Sequence, residues 1–164
     1  MMGAGKSTVA PLLALGLGVP WEDSDGAIEA CTGMSVEKVF RTFGERRFRQ
    51  EEGRWLESLA GLPRRVVAVG GGLVLAPGRA ESLRRSARTI YLKATIEDLA
   101  ARLGPQAVRE RPLLKGRVLR ATLAELYQAR EGRYRAAADL EILTSGLSPE
   151  SVASIALAEL MQIF

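Results

Sequence analysis

Gly3-Ala4-Gly5-Lys6-Ser7-Thr8 is the stretch that decides the fold. It matches the phosphate-loop pattern G-x-x-x-x-G-K-[ST] from the second glycine onward, and the pattern's first glycine would fall one position before Met1. Glycines at these positions allow a tight turn whose backbone N–H groups point at an anion. Lys6 can then reach the outer phosphates, the Ser7 hydroxyl can bind Mg²⁺, and the following helix adds the positive end of its dipole. The stretch favours a nucleotide-binding loop over a glycine-rich turn capped by Ser or Thr.

Composition predicts one domain over residues 1–164. The chain has 164 residues, of which 47% are hydrophobic, enough to bury one good core. No apolar run reaches the length that spans a bilayer and no signal peptide opens the chain, so we expect a cytoplasmic protein without a membrane partner. The single cysteine, Cys31, excludes an internal disulfide, and the absence of histidine argues against a His/Cys metal cluster.

Arginine dominates the positive charge. The chain carries 23 basic and 19 acidic residues, a net charge of +4. Arginine suits the recognition of phosphate and carboxylate groups because its guanidinium is a rigid fork of donors. The arginines are scattered over predicted helices without interleaved aromatic residues or a zinc signature, so we expect no nucleic-acid partner.

Apolar runs alternate with helical patterns along the chain. Short runs of strand type and longer segments of helical period follow one another, which is typical of an α/β domain with a mostly parallel sheet. The predicted strands are 19–22, 66–69, 89–92 and 140–143. The predicted helices are 6–16, 26–32, 36–43, 45–62, 79–85, 95–103, 118–137 and one that opens at Ser148-Pro149-Glu150.

Two aspartates follow the first predicted strand, at the sheet edge where open α/β folds bind ligands. Asp23 and Asp25 are two residues apart, so on extended chain their side chains point roughly the same way. The functional interpretation directs Asp23 toward the Mg²⁺ of a nucleotide and Asp25 toward a substrate hydroxyl. The structural alternative is that an aspartate caps the helix 26–32.

A second group of candidates lies farther along. Phe48, Arg49 and Glu52 bring an aromatic wall, a guanidinium and a carboxylate near one another on a helix, although a solvated helix with an i, i+3 ion pair is an alternative. Gly70-Gly71-Gly72 ends a buried strand and would let a ligand reach the backbone; the alternative is a flexible turn.

The segment 104–116 has no helical or strand periodicity. It carries several charged residues and a proline between two predicted helices: Arg109, Glu110, Arg111, Pro112 and Lys115. Such a segment favours a lid that closes over phosphates and excludes water, as against an idle surface loop.

Together these motifs resemble the shikimate kinase family of phosphate-loop proteins, over nearly the whole chain. The resemblance rests on the order and spacing of short motifs rather than on any one of them after the first. They are G-A-G-K-S-T (3 to 8), D-S-D (23 to 25), T-G-M-S-V then F (32 to 40), G-E-R-R-F-R-x-x-E (44 to 52), G-G-G (70 to 72), R-P-L-L (111 to 114) and R-x-x-x-Y (130 to 134).

The resemblance implies a fold and an activity. The fold is a three-layer α/β/α domain with strand order 2-3-1-4-5, substrate-binding helices at 26–62 and a lid at 104–116. The activity is transfer of the γ-phosphoryl group of ATP to the 3-hydroxyl of shikimate, with Mg²⁺, in aromatic amino acid biosynthesis. A monomer is expected.

The resemblance also implies residue roles. For shikimate, Asp25 would hold the reacting hydroxyl and accept its proton, Arg49 and Arg130 would clamp the carboxylate, the backbone of Gly71 and Gly72 would contact ring hydroxyls, and Phe40, Phe48 and Glu52 would wall or brace the pocket. For the nucleotide, residues 3–8 (Gly3, Ala4, Gly5, Lys6, Ser7 and Thr8) would bind phosphates, Lys6 and Arg111 would neutralise the transferring group, Ser7 and Asp23 would serve Mg²⁺, and Arg102 would lie along the adenine.

The chain departs from the family pattern in three places. Pro11 stands inside the first predicted helix and should kink it unless it lies close to the first turn. Residues 144–147 lack the basic residue that often stands near the nucleobase, and the strand that should feed the phosphate loop is missing. We therefore expect about eight to twelve further residues upstream of Met1, a strand plus the missing loop glycine. In the chain as given we expect a gap between the strands at 66–69 and 89–92, or a foreign segment that fills it, with poor activity. Two alternatives stay open: another small-metabolite kinase, such as a gluconate kinase, or a nucleotide-binding module without catalysis.

Overall fold

A computed structural model describes residues 1–109, 111 and 113–162. In this part of the chain, eight helices and four short strands follow one another. They are α1 Lys6–Leu17, β1 Trp21–Asp23, α2 Ser24–Thr32, α3 Val36–Ser58, β2 Val66–Ala68, α4 Arg79–Ser86, β3 Ile90–Lys93, α5 Ile96–Arg102, α6 Pro105–Arg109, α7 Leu119–Ala137, β4 Leu140–Leu143 and α8 Pro149–Gln162, with one 3₁₀ turn at Leu73–Leu75.

The strands form two parallel pairs. Strand β1 pairs with β2, with Trp21 opposite Val66, and β3 pairs with β4, with Ile90 opposite Leu140. Between β2 and β3 the described residues place no strand, so the two pairs remain separate sheets. The predicted order 2-3-1-4-5 counts the missing strand as strand 1, so strands 2, 3, 4 and 5 correspond to β1, β2, β3 and β4. The two observed pairs agree with that order, and the α/β class is confirmed.

Helices cover these strands and hold the phosphate loop. Helix α1 packs on α8, β1 and β2, while α7 packs on α4 and α5. The main apolar cluster includes Leu99 and Leu123, both fully buried, and burying such a side chain contributes about 1.5 to 3 kcal/mol. Met1 and Ala4, which precede α1, belong to the same cluster, so the phosphate loop lies against a packed core. None of the described helices has the length and apolar character needed to cross a membrane.

Three local predictions need correction. Asp25 lies in the first turn of α2 rather than on extended chain. The helix begins at Ser24, because the Asp23 carboxylate caps it by accepting the Asp25 backbone N–H. The helix predicted at 45–62 ends at Ser58, and it continues from the helix predicted at 36–43 as one element, α3; the predicted break between them is confirmed as a kink at Gly44, whose backbone angles are not helical. The segment 104–116 contains the short helix α6, opened by Pro105, a residue suited to a first helical turn; Glu110 and Pro112 lie outside the described residues.

Candidate active site

A cavity of about 780 Å³ lies between the phosphate loop, the end of β1, α3, the glycines after β2 and the facing ends of α5 and α7. Every site residue predicted from the sequence lines this cavity. These are Gly3, Ala4, Gly5, Lys6, Ser7, Thr8, Asp23, Asp25, Phe40, Phe48, Arg49, Glu52, Gly71, Gly72, Arg102, Arg111 and Arg130. Residues spread over more than a hundred positions of the chain thus meet at one site.

The phosphate loop has the backbone that an anion site needs. Gly3 and Gly5 have φ values of 76° and 91°, a region that favours glycine. A Cβ on Gly3 would lie 3.0 Å from the Leu99 carbonyl oxygen, so a side chain would also push the loop off α5. Lys6 Nζ donates to the Met1 carbonyl oxygen at 2.8 Å. Burial lowers the pKa of Lys6, while the charges of Asp25 and Asp23 oppose that change.

Two side chains whose oxygen atoms can bind a metal ion, Ser7 and Asp23, lie next to each other beside this loop. The Ser7 hydroxyl donates to Asp23 Oδ2 at 2.9 Å, and Asp23 Oδ1 accepts the Asp25 backbone N–H at 3.0 Å. Asp23 is therefore both a helix cap and a neighbour of the loop, so the structural and functional interpretations do not exclude each other. Mg²⁺ in kinase sites is commonly held by one or two protein oxygens plus phosphates and water. The Ser7–Asp23 pair fits that ion.

Asp25 faces the cavity beside other charged groups. Its side chain is exposed to the cavity, yet burial by the cavity wall raises the pKa of its carboxyl, the Asp23 charge adds to the rise and Lys6 opposes it. Asp25 Oδ1 and Glu52 Oε1 each lie 3.2 Å from the point where a Cβ on Gly70 would stand. A carboxylate whose pKa is raised is a stronger base, which suits proton acceptance.

Arg49 is held on α3 by two carboxylates. It pairs with Glu52 through Nη1, and it donates to Glu45 Oε1 from Nη2 at 3.0 Å and from Nε at 3.2 Å. The guanidinium also lies 5.2 Å from the Phe48 ring centroid, and the Phe48 ring packs on Phe40 at 4.7 Å.

This arrangement leaves the guanidinium ordered and still able to bind. Glu52 is only 1% exposed, so the pair is not the solvated surface pair that the sequence allowed. Of the five N–H donors of a guanidinium, the bonds to Glu45 and Glu52 use three, which leaves two for a ligand.

The three glycines after β2 are needed for close side-chain approach. A Cβ on Gly72 would lie 2.2 Å from Arg49 Nη2, and one on Gly71 would lie 3.1 Å from the Tyr134 hydroxyl. The Gly70 N–H donates to Ser24 Oγ at 2.9 Å. None of the three has a positive φ. The segment is therefore closely packed. Its glycines matter because they leave room for the neighbouring side chains, not because they are flexible.

The end of the cavity farthest along the chain from the phosphate loop is bounded by two arginines and by apolar residues. Arg102 donates to the Thr144 hydroxyl at 2.9 Å and to the Thr144 carbonyl at 2.8 Å. Arg111 donates to the Ala107 carbonyl at 2.9 Å. Leu147 and Pro149 complete this end. Thr144 thus orients the guanidinium of Arg102 in a segment that lacks a basic residue of its own.

Sequence reasoning missed four residues that shape the cavity. Glu45 and Thr144 orient arginines, Ser24 binds the glycine segment, and Tyr134 donates to the Gly71 carbonyl at 2.8 Å. The sequence signals were the spacing of four between Glu45 and Arg49 and between Arg130 and Tyr134, which places each pair on one face of a helix.

Comparison with known proteins identifies the family. The shikimate kinase family profile matches residues 2–161. The chain belongs to the shikimate kinase family. It is 45% identical over 151 residues to the shikimate kinase of Geobacter sulfurreducens, covering 92% of this chain and 82% of that protein. It is 38% identical to that of Pseudomonas entomophila, covering 99% and 93% of the two chains.

The fold agrees with solved members of the family. The structure titled shikimate kinase from Acinetobacter baumannii in complex with shikimate is 31% identical, with a TM-score of 0.92 over 99% of this chain and 89% of that one. The shikimate kinase from Aquifex aeolicus is 28% identical with a TM-score of 0.84, over 99% and 94%. The sequence-based recognition of an ATP-dependent kinase of this family is confirmed, over the gluconate kinase and non-catalytic alternatives.

Proposed function

We propose that this chain transfers the γ-phosphoryl group of ATP to the 3-hydroxyl of shikimate, giving shikimate 3-phosphate for aromatic amino acid biosynthesis. One observation carries the proposal: the phosphate loop, the Asp25 carboxylate and the Arg49 guanidinium line a single cavity. A small carboxylic acid with ring hydroxyls fits a site that offers a guanidinium fork beside a carboxylate and bare glycine backbone.

At the shikimate end, Arg49 and Arg130 bind the carboxylate from two helices. Asp25 accepts a hydrogen bond from the 3-hydroxyl and takes its proton as the oxygen attacks the phosphorus. The backbone of Gly71 and Gly72 contacts the ring hydroxyls. Phe40 and Phe48 pack against the ring, and Glu52 holds Arg49 in place.

At the nucleotide end, the N–H groups of residues 3–8 hold the phosphates, Arg102 lies along the adenine, and Lys6 and Arg111 stabilise charge on the group in transfer. Ser7 and Asp23 would hold Mg²⁺, which neutralises phosphate charge when bound. Because phosphoryl transfer needs positioning and charge stabilisation rather than covalent help from the protein, these groups suffice.

The remaining features follow from the same proposal. The segment 104–116 closes as a lid over the phosphates and excludes water, and residues 26–62 form the substrate-binding helices of one domain spanning 1–164. We propose a cytoplasmic monomer that uses shikimate and ATP, with neither nucleic acid nor membrane as a partner.

An ADP-release assay with Mg²⁺ and ATP tests this function. We expect release that depends on shikimate and is absent with gluconate or nucleoside monophosphates, and Lys6→Ala should abolish it. Equal ADP release with gluconate would favour the alternative function of a gluconate kinase. ATP binding without release on any acceptor would leave a non-catalytic nucleotide-binding module.

A further inference from the structure

Tyr134 lies in the last turn of α7 and faces the substrate end of the cavity. Its side chain is 6% exposed, and its ring packs on Tyr91 with centroids 5.3 Å apart. Its hydroxyl donates to the Gly71 carbonyl oxygen at 2.8 Å. A phenol buried this deeply normally has a hydrogen-bond partner, but here the partner is the backbone of a proposed substrate-binding glycine.

The surroundings of this hydroxyl include both arginines of the proposed carboxylate clamp. Burial raises the pKa of Tyr134, and a hydrogen bond and charge from Arg130 together with the charge of Arg49 oppose the rise. Arg130 lies one helical turn before Tyr134, on the same face of α7. The hydroxyl therefore stands where α7, Arg49 and the glycine segment meet.

The hydrogen bond fixes more than one carbonyl. A trans peptide is planar, with its C=O and N–H on opposite sides, so holding the Gly71 carbonyl on Tyr134 also turns the Gly72 N–H away from the phenol. The same glycine, Gly72, has its bare Cα against the Arg49 guanidinium. A rotation of the 71–72 peptide would disturb both the backbone contacts and the seat of Arg49.

We propose that Tyr134 is a positioning residue for shikimate, whose hydroxyl locks the Gly71–Gly72 peptide so that the glycine backbone and Arg49 are preorganised for the substrate. This inference rests on the proposed function of the site. It assigns to the tyrosine an effect on shikimate binding and none on the nucleotide.

The test compares Tyr134→Phe with Tyr91→Phe. Each change removes one buried phenolic hydroxyl from the same pair of packed rings, but Tyr91 is not among the residues that line the cavity. We expect Tyr134→Phe to raise the KM for shikimate about threefold to tenfold, as the loss of one neutral hydrogen bond implies. The kcat and the Kd of an ATP analogue should each change less than about twofold. Tyr91→Phe should leave all three constants unchanged.

A double-mutant cycle with Gly71→Ala adds a second measurement, the coupling of the two changes in the KM for shikimate. This coupling is not expected if Tyr134 only stabilises the fold. The added Cβ would lie 3.1 Å from the hydroxyl oxygen, and this neighbour is gone in the Phe variant. Gly71→Ala should therefore raise the KM for shikimate more in the native background than in Tyr134→Phe.

Two results would overturn the inference: a lower melting temperature with an unchanged KM in Tyr134→Phe, or strictly additive effects in the cycle. The failure of the proposed function itself is recognised separately, because the native chain would then not phosphorylate shikimate at all.

Discussion

Arg49 shows how one side chain acquires a role from its neighbours. Glu45 and Glu52 fix its guanidinium from the same helix, Phe48 supports one face, and Gly72 leaves room for it. Holding a flexible arginine in place before the ligand arrives lowers the entropy lost on binding. Its proposed partner Arg130 comes from α7, so the clamp joins two elements that are distant in sequence.

The clamp gives a prediction for shikimate binding. Arg49→Ala should weaken the affinity for shikimate about tenfold to a hundredfold, because losing a charge-assisted hydrogen-bond donor costs about 1.5 to 3 kcal/mol. Calorimetric titration with shikimate and with an ATP analogue measures both affinities. Arg54→Ala is the matched control, since Arg54 lies on the same helix with its side chain 63% exposed. Equal losses for shikimate and nucleotide would contradict the assignment.

Asp25 gives a prediction for turnover. Asp25→Asn keeps the size of the side chain but removes the base, so kcat should fall about a hundredfold or more with little change in nucleotide affinity. Steady-state kinetics at saturating shikimate and ATP measure this. A near-normal kcat would leave Asp25 with only its place in the first turn of α2.

Helix α3 contributes cavity-lining residues from both sides of its kink, at the end of the cavity that we propose for shikimate. Phe40 precedes Gly44, and Phe48, Arg49 and Glu52 follow it. Gly44 has φ 77° and ψ 172° within the helix, and no atom lies within 4 Å of the position of an added Cβ. The kink therefore depends on a backbone conformation that is almost confined to glycine.

Gly44→Ala should lower the free energy of unfolding by about 1 to 3 kcal/mol through backbone strain, and it should raise the KM for shikimate if α3 straightens and parts Phe40 from Phe48. Gly132→Ala is the control: Gly132 is an exposed residue within α7 with open space around it, and there alanine should stabilise by about 0.5 to 1 kcal/mol. Urea unfolding of the two variants compares them. A Gly44→Ala protein as stable as the native one would show that the kink is not required.

Local signals made much of this predictable. The phosphate-loop glycines and the apolar strand at 66–69 are recognisable from adjacent residues. So are the starts of two helices, where the hydroxyls of Ser35 and Thr95 accept the backbone N–H groups of Lys38 and Asp98. The break in α3 was predicted as the boundary between the helices 36–43 and 45–62, but its geometry was not, because a glycine in the sequence does not reveal its backbone angles. Contacts such as Tyr134 with Gly71 could not be read either, since they depend on packing between residues 63 positions apart.

For the whole molecule, the two parallel strand pairs direct their ends to one cavity that collects charge of both signs. Its described lining includes five basic side chains (Lys6, Arg49, Arg102, Arg111, Arg130) and four carboxylates (Asp23, Asp25, Glu45, Glu52). Since Glu45 and Glu52 pair with Arg49 and Asp23 stands at the proposed metal site, the other basic side chains remain for the two anionic substrates that we propose. The net charge of +4 for the chain is thus partly explained by its site.

The position of the transferred phosphate is the most direct test of the account. Proton–phosphorus correlation NMR of the product formed from shikimate and ATP reports which ring carbon carries the phosphate. The proposed transfer to the 3-hydroxyl predicts coupling of the phosphorus to the proton on C3 and to no other ring proton. Phosphate on a different hydroxyl, or inorganic phosphate without a phosphorylated ring, would contradict it.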